Sequence, residues 1–297
     1  MPDVPLKKSN QLFVNNINES IQLSSLIYAP IFIPQGRGKG RDESRKKLKI
    51  DDLRRTKYEH VNYDGYELDL ELDFKLYAVI ISKAQMEGKS NITFTEKQLI
   101  TIALNTKAAT PLKLKIEDSL AAFQKSQLTI RKYNDKKEHI GTLITSIIKK
   151  AKWVPKEHIY YIEVDEEIIN RRTDSYSKEK IYLDILLNLK GQHSKALFLY
   201  LETRKFNNIK NNTSGVNHNQ EELYSRICPN YTKKDDKKKA LKAALEQLQT
   251  IGYLNSFEEK KSEDVYEIPY WKVFMNHSYV KEQVKALKAL KALKASK

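Results

Sequence analysis

The chain has 297 residues, of which 40% are hydrophobic and 31% are charged, and its formal net charge at pH 7 is +15. That apolar fraction supports hydrophobic cores, which excludes a disordered protein, and the length allows two ordinary domains. The positive charge predicts an anionic partner, first nucleic acid and second an anionic membrane surface. An AT-rich genome favours the same Lys, Asn and Ile that this chain favours, so composition alone does not establish the partner.

Cysteine usage and hydropathy indicate the cellular compartment in which the protein works. The single cysteine, Cys228, excludes an intrachain disulfide and any zinc cluster built on cysteines. Its position at the end of a short predicted helix indicates a buried thiol. No apolar run reaches the roughly 18 residues that span a bilayer, and the N-terminus has no signal-peptide core. We therefore expect a cytoplasmic protein of bacterial style that is not associated with a membrane.

No catalytic or metal-binding constellation is recognisable. The sequence has no H-x-H, H-E-x-x-H or P-loop motif. The six histidines are scattered along the chain: His60, His139, His158, His193, His218 and His277. The acidic run Glu163–Glu167 suits a divalent ion or, more simply, the negative charge that favours the start of a helix. We expect a binding protein that is not an enzyme and that needs no metal and no cofactor.

The first 60 residues are predicted to be a flexible arm and linker. An apolar patch, Ile21–Ile33, precedes the segment P-Q-G-R-G-K-G-R-D-E-S-R-K-K. That segment combines three glycines with a cluster of basic residues and has nothing to bury.

Residues 61–155 carry the signals of a first domain. A helix ends near Gly88, a short strand covers Asn91–Phe94, and a second helix is capped by Thr95 with Gln98 at the capping-box position. A turn leads to a third helix, whose apolar stripe has helical spacing: Leu112, Ile116, Leu120 and Phe123. A β-hairpin with a basic tip follows over residues 127–148.

Residues 156–280 show a second and looser version of the same order. The strand Tyr160–Val164 comes before the first helix, which starts near Gln192. Residues 207–220 are predicted to be a polar loop, and a short helix follows it. The third helix is rich in lysine, and a hairpin over Tyr253–Ile268 ends the domain.

The lysine-rich helix is the most informative segment of the chain. Its apolar stripe predicts a face seated on a core: Leu241, Ala244, Leu245, Leu248 and Ile251. Lys239, Lys242 and Glu246 lie on the opposite face, with Lys238 at its edge. Thr232, with Asp235 three residues on, is typical of a capping box. Glu246 repels phosphates, so only the first half of the helix is expected to enter a DNA groove. Lys242 lies one turn before Glu246 and can form an ion pair with it.

Helix, short strand, helix, turn, helix and hairpin is the order of a winged helix. Because this order occurs twice, we predict an α+β fold with two tandem winged-helix domains, at residues 61–155 and 156–280. They would lie between the N-terminal arm and a basic low-complexity tail, residues 281–297.

The candidate DNA contacts lie at the start of each third helix and on each hairpin, where side chains reach the groove and the phosphate backbone. In the second domain they are Thr232, Lys233, Lys234, Lys238, Lys239, Lys242, Lys260 and Lys261. In the first domain they are Lys107, Thr110, Lys113, Lys115, Arg131, Lys132, Lys136 and Lys137.

Residues of about 60 to 258 resemble plasmid replication initiators of the TrfA type, which are relatives of the RepE-like initiators with two winged helices. The similarity is carried by the lysine-rich helix and by five segments in the same order: Tyr63–Leu68, Ile92–Leu99, Glu117–Gln124, Val164–Ile169 and His193–Tyr200. The resemblance implies binding to double-stranded direct repeats (iterons) at a replication origin and local melting of DNA. It also implies recruitment of the host initiator DnaA and the helicase DnaB, and a switch between monomers and dimers.

Two other functions stay open at this stage. A transcriptional regulator, such as an autorepressor, can use the same two winged helices, and only replication of an origin fragment separates it from an initiator. A nickase or relaxase would instead cleave DNA in a metal-dependent reaction and form a tyrosyl–DNA adduct, which the scattered histidines do not favour.

Overall fold

The computed structural model describes residues 19–23, 27, 29–34, 45–56, 59–104, 110–169, 178–182, 185–186, 189–210, 215–260 and 269–276. The chain divides into two compact units, unit 1 (residues 1–188) and unit 2 (residues 189–297). The division therefore falls at residue 188 and differs from the predicted domain boundary at residue 155. The fold belongs to the α+β class, as predicted.

Unit 1 contains four helices and eleven strands among its described residues. The helices are α1 (Asp73–Glu87), α2 (Glu96–Leu104), α3 (Thr110–Gln124) and α4 (Glu166–Ile169). The strands up to the first helix are β1 (Glu19–Leu23), β2 (Phe32–Ile33), β3 (Lys47–Thr56), β4 (Glu59–Tyr66) and β5 (Leu68–Asp69). The later strands are β6 (Asn91–Thr95), β7 (Gln127–Tyr133), β8 (His139–Ser146), β9 (Lys150–Val154), β10 (Ile159–Glu163) and β11 (Lys178–Tyr182).

The predicted order of a helix, a strand, two helices and a hairpin is present in unit 1, but a different hairpin completes it. β6 pairs with β10, and β10 pairs with β9, giving the antiparallel order β6-β10-β9. The strand assigned by sequence to the second domain is therefore β10 of unit 1. The predicted hairpin of residues 127–148 exists as β7 and β8, but it belongs to a separate four-stranded sheet, β3-β4-β7-β8.

Much of the predicted N-terminal arm is instead part of unit 1. β1 pairs with β11, β2 pairs in parallel with β5, and β3 pairs with β4. The prediction of a flexible arm over the first 60 residues is wrong for these described parts. Ile31 and the β2 residues Phe32 and Ile33 are buried, and the strands complete the hydrogen bonding of their neighbours. The composition of the glycine-rich and basic segment predicted a linker, but the residues on both sides of that segment form strands.

Unit 2 repeats the element order of unit 1. Its elements are α5 (Gln192–Lys210), β12 (Val216–Asn219), α6 (Gln220–Ile227), α7 (Lys234–Thr250), β13 (Leu254–Lys260) and β14 (Tyr270–Met275). The sheet order β12-β14-β13 corresponds to β6-β10-β9 of unit 1: the strand before the second helix pairs with the last strand of the hairpin. The predicted polar loop of residues 207–220 thus holds the end of α5 and the strand β12.

Local chemistry sets the ends of these helices. Thr95 and Gln98 form the predicted capping box at α2: the Gln98 amide donates to Thr95 Oγ1 over 3.1 Å, and the Thr95 amide donates to Gln98 Oε1 over 2.9 Å. At the end of α7, Gly252 has a positive φ of 76°. The amides of Gly252 and Tyr253 then donate back to the carbonyls of Gln249 and Leu248, which ends the helix in a Schellman motif.

Candidate nucleic-acid interface

Helix α7 is anchored by its apolar stripe and presents lysines to solvent. Leu241, Ala244, Leu245 and Leu248 are buried as predicted, whereas Lys239, Lys242 and Glu246 are exposed. Ile251 was assigned to the same stripe, but it is the C-cap residue and 47% of it is exposed. The stripe therefore ends one turn earlier than the sequence pattern predicted, because the chain leaves the helix at this residue.

The first turn of α7 differs in detail from the prediction. The helix starts at Lys234 with Lys233 as its N-cap, and no side chain caps it. The capping box predicted for Thr232 is therefore wrong, since this exposed residue lies one position outside the cap. Asp235 and Asp236 supply the negative charge that favours a helix start. Lys233 and Lys234 thus stand at the start of the helix, and no side-chain cap accepts a hydrogen bond from its first amides.

In unit 2, three candidate lysines are paired with carboxylates. Lys238 Nζ lies 2.7 Å from Glu259 Oε2 on β13, and Lys242 Nζ lies 3.9 Å from Glu246 Oε1 in the predicted i,i+4 pair. Lys260 Nζ lies 2.8 Å from Glu258 Oε2 on the outer face of β13. The remaining candidates of unit 2 that are described, Thr232, Lys233, Lys234 and Lys239, are exposed and make no ion pair with a described residue. Lys261 lies outside the described residues.

Polar side chains lock α7 to the hairpin that follows it. Gln249 Nε2 donates to the Asn255 carbonyl over 2.9 Å, and Asn276 Nδ2 donates to the Gly252 carbonyl over 2.7 Å. Tyr253 Oη donates to the buried carboxylate of Glu202 on α5 over 2.9 Å. The lysine face of α7 and the strands β13 and β14 are consequently held in one fixed arrangement within unit 2.

Two buried side chains of unit 2, Cys228 and His218, have pKa values that differ from the ordinary ones. Cys228 is a buried free thiol, as predicted, and burial raises its pKa to about 12. His218 on β12 is buried beside Tyr200, with 3.2 Å between Nδ1 and the Tyr200 hydroxyl. Burial, with a smaller effect of the Arg204 charge, lowers the pKa of His218 to about 4. This imidazole is therefore neutral at pH 7 and supports the sheet, and it does not contribute charge to DNA binding.

The third helix of unit 1 is less basic on its exposed surface than α7. Lys113 Nζ lies 4.1 Å from the centre of the Trp153 ring on β9 and 3.9 Å from Glu96 Oε1, so part of its charge is already used within the unit. Lys115 is exposed, but Asp118 is exposed beside it and Leu114 is 62% exposed. Thr110 begins α3 with its side chain outside the described residues, and Lys107 lies outside them entirely.

The other first-domain candidates do not lie on the hairpin that pairs with β6. Arg131 donates to Asn62 Oδ1 over 3.0 Å, and Lys132 is half-buried with a partner of its own. Lys136 and Lys137 are exposed at the β7–β8 tip, where Lys137 has a φ of 64°. All four belong to the four-stranded sheet, so the structure separates them from the hairpin that completes the predicted winged-helix order.

The hairpin of β9 and β10 carries lysines that the sequence reasoning missed. Lys150, Lys152 and Lys156 are exposed, and Lys152 lies opposite the exposed Tyr161. The alternation in K-A-K-W-V places Lys150 and Lys152 on one face of a strand. That signal was present in the sequence, but the neighbouring strand had been assigned to the second domain.

Arg45 is a second residue that the sequence reasoning missed. It lies in the segment predicted to be a linker, yet its guanidinium contacts Asp73 on α1 and Asp118 and Ser119 on α3. The two carboxylates keep its pKa above the ordinary value despite burial. Arg45 therefore ties α1 to α3, the third helix of unit 1.

The described residues show neither a metal site nor a membrane helix. No group of three or more His, Cys, Asp or Glu side chains within them could hold a metal ion. No helix in the same part of the chain is long and apolar enough to cross a membrane. In the acidic run, Asp165 Oδ1 accepts from the Glu167 amide over 2.9 Å at the start of α4, as the helix-start interpretation predicted.

Two units with the same element order and sheet order define a class of α+β proteins built from a repeated three-helix and hairpin module. No family model matches the chain. It is similar to the replication protein RepA of Escherichia coli, with 22% identity over 279 residues, covering 88% of this chain and 90% of RepA. It is also similar to the replication protein RepA of Salmonella typhi, with 21% identity over 288 residues, covering 90% of this chain and 77% of that protein.

Two solved structures have a fold similar to that of this chain. The structure of domains 2 and 3 of RctB matches with a TM-score of 0.52 and 8% identity, covering 86% of this chain and 99% of that one. A selenomethionine form of the same two domains matches with a TM-score of 0.50 and 11% identity, covering 84% and 99%. The predicted resemblance to replication initiators is confirmed by the RepA similarities, whereas neither comparison singles out the TrfA type.

Proposed function

We propose that this protein is a plasmid replication initiator that binds double-stranded direct repeats (iterons) at an origin, using two winged-helix domains. The observation that carries the proposal is the repeated topology, β6-β10-β9 and β12-β14-β13, with an exposed lysine face on the third helix of the second repeat. Similarity to RepA proteins over 88% and 90% of the chain supports the role in replication.

Unit 2 is proposed to supply the stronger DNA contact. Lys233, Lys234, Lys239 and Lys242 surround the exposed N-terminal half of α7, where each can reach a phosphate. The junction of α7 with β13 and β14 holds the helix that carries these lysines in one position relative to the hairpin, which reduces the entropy lost on binding. The exposed surface of α3 mixes lysine with carboxylates, so unit 1 is proposed to contribute less charge and more positioning.

The downstream steps belong to the same proposal. By the family resemblance, the protein would melt an AT-rich segment, recruit DnaA and DnaB, and change between monomer and dimer. Lys260 and the exposed lysines of the β9–β10 hairpin, Lys150, Lys152 and Lys156, are proposed to contact the phosphate backbone beside the grooves.

Footprinting tests the DNA-binding part of this function. The full chain is incubated with a DNA fragment that carries direct repeats, chosen from the DNA that flanks its gene, and with a scrambled fragment of equal length. Protection of the repeats over more than one helical turn, with no protection of the scrambled fragment, is expected for two domains. Protection over less than one turn, or equal protection of both fragments, would contradict the tandem arrangement.

An autorepressing transcriptional regulator is the alternative, because it would use the same helices. The two functions separate in a replication assay, in which the gene and the repeat fragment are placed on a plasmid that lacks any other origin. Replication that is lost when Lys239 and Lys242 are changed to Ala supports the initiator. Promoter repression without replication supports the regulator.

A further inference from the structure

Glu259 lies on the inner face of the hairpin in unit 2. It is opposite Trp271 in the pairing of β13 with β14, and Trp271 is almost fully buried. Because opposite residues of an antiparallel pair share a face, the Glu259 side chain is directed toward the helices and away from the outer face of the sheet. Only 25% of it is exposed.

The ion pair between Glu259 and Lys238 forms in this half-buried position. Lys238 Nζ lies 2.7 Å from Glu259 Oε2, and the lysine side chain is 42% exposed. The neighbouring Tyr224 hydroxyl is buried, and burial, the Glu259 charge and the weaker charges of Glu221 and Asp235 together raise its pKa to about 12. Partial exclusion of water strengthens the attraction between two charges relative to an exposed pair.

The other two lysine–carboxylate pairs described for the candidates of unit 2 are weaker. Lys242 and Glu246 are 3.9 Å apart, and each side chain is more than half exposed. Lys260 and Glu258 lie on the outer face with both side chains close to half exposed. Among the paired lysines of α7, Lys238 is consequently the one whose charge is best compensated within the protein.

We propose that Glu259 withholds Lys238 from DNA phosphates and so lowers the affinity of α7 for duplex DNA of any sequence. A phosphate that approached Lys238 would have to displace a carboxylate already 2.7 Å away, so the exchange yields little binding free energy. While the ion pair stays intact, Lys238 neutralises no phosphate and releases no DNA counterion. The pair therefore limits the sequence-independent part of binding, and this inference rests on the proposed DNA-binding function.

The test measures binding of the full chain to a random-sequence duplex of about 30 base pairs over a series of salt concentrations. The variants are Glu259→Gln, Lys238→Ala and the double variant. Releasing one lysine to a phosphate steepens the log–log salt slope by about 0.9, which multiplies affinity by about eight for each tenfold decrease in salt. Glu259→Gln is expected to show this gain, and Lys238→Ala alone is expected to leave the slope unchanged.

The double variant decides whether the effect passes through Lys238. If it does, Glu259→Gln has no effect once Lys238 is Ala. A gain that persists in the double variant would mean that the lost negative charge acts through space, and it would overturn the proposal. Glu221→Gln is the matched control, because it removes the same charge from unit 2 and Glu221 makes no ion pair with a described residue; it should leave the slope unchanged.

Two further outcomes separate this inference from the proposed function. If Lys238→Ala flattens the slope as much as Lys239→Ala, Lys238 contacts DNA and the inference is wrong while the function stands. This comparison does not depend on how Glu259→Gln folds. If the unmodified chain binds neither the random duplex nor its own repeats, the proposed function fails, and the inference fails with it.

Discussion

The guanidinium of Arg45 donates two hydrogen bonds to the carboxylate of Asp73, with 2.7 Å between Nη1 and Oδ2 and 3.1 Å between Nη2 and Oδ1. Ser119 Oγ donates to the same carboxylate over 2.6 Å, and Arg45 Nε donates to Asp118 over 2.6 Å. The segment before β3 is therefore tied to α1 and α3 together. Because the Asp73 side chain is fully buried, this network stabilises unit 1 only while all its members are present.

Asp73→Asn is expected to lower the free energy of unfolding of unit 1 by roughly 3–5 kcal/mol, because it breaks a buried ion pair and leaves Arg45 with only the exposed Asp118 as a carboxylate partner. Hydrogen–deuterium exchange of the α1 and α3 amides measures this in the full chain. Asp118→Asn is the control: that carboxylate is 59% exposed, and its loss should cost about 1 kcal/mol or less. Equal effects of the two variants would show that burial of Asp73 does not matter.

Replacing Lys239 and Lys242 together by Ala is expected to weaken DNA binding and to flatten its salt dependence. Two lost phosphate contacts reduce the log–log slope by roughly 1.8. Fluorescence anisotropy with the repeat fragment at several salt concentrations measures both quantities. Replacing the exposed Lys89 and Lys125 of unit 1 provides a control of equal charge, and an equal loss there would place the contact outside α7.

Leu245→Ala is expected to lower the free energy of unfolding of unit 2 by roughly 2–5 kcal/mol, because a fully buried side chain leaves a cavity. Ile251→Ala, in the exposed residue that ends the helix, should change it by about 0.5 kcal/mol or less. In a Trp153→Phe background Trp271 is the only tryptophan, so its fluorescence during urea unfolding reports unit 2. A large effect of Ile251→Ala would show that Ile251 packs with the apolar stripe, as the sequence pattern predicted.

The stability of unit 2 should depend on pH through His218. Burial lowers the pKa of this imidazole to about 4 from an ordinary value of 6.5, so the unfolded chain binds a proton that the folded unit does not. Stability is therefore full above about pH 6.5, falls as the pH drops toward 4, and loses roughly 3 kcal/mol in that interval.

Trp271 fluorescence in the same Trp153→Phe background measures this dependence on urea unfolding between pH 4 and 7. Arg204 and Glu222 also face the imidazole and act on its pKa in opposite directions, so the decisive variant is His218→Gln. It should remove this part of the pH dependence. His139→Gln, which changes an exposed histidine of unit 1, should leave it in place.

Lys115→Ala is expected to reduce DNA affinity more than Lys113→Ala, because Lys113 is held by Trp153 and Glu96 whereas Lys115 is exposed. The difference should approach one phosphate contact, about 0.9 in the salt slope. The reverse order would mean that Lys113 leaves the Trp153 ring when DNA binds. Equal and negligible effects would mean that α3 does not reach the backbone.

Periodicity predicted the helices of both units and the capping box at Thr95 and Gln98, because both signals are local. It did not predict that β10 pairs with β6, since pairing between residues 91–95 and 159–163 leaves no local trace. The strand β12, V-N-H-N, is polar and lies at a sheet edge, so it resembled a loop. Its last residue, Asn219, caps α6 by accepting from the Glu221 and Glu222 amides, a signal that the sequence did contain.

The lysine face of α7 was predicted in outline and corrected in detail. Spacing along one helix placed Lys239, Lys242 and Glu246 on the solvent side. It could not show that Lys238 has a carboxylate partner on β13, because that contact depends on how the hairpin folds back on the helix. For the same reason Arg45 was taken for a linker residue: a buried ion pair depends on the tertiary structure and not on composition.

The pairing of β1 with β11 joins residues 19–23 to residues 178–182. During synthesis from the N-terminus, β1 therefore waits for its partner until nearly all of unit 1 has left the ribosome. The closing of so long a loop is slow relative to the formation of local helices. Deleting the first two dozen residues would remove a strand from a sheet whose other half is far along the chain, and β11 would be left with an open edge that another chain can occupy.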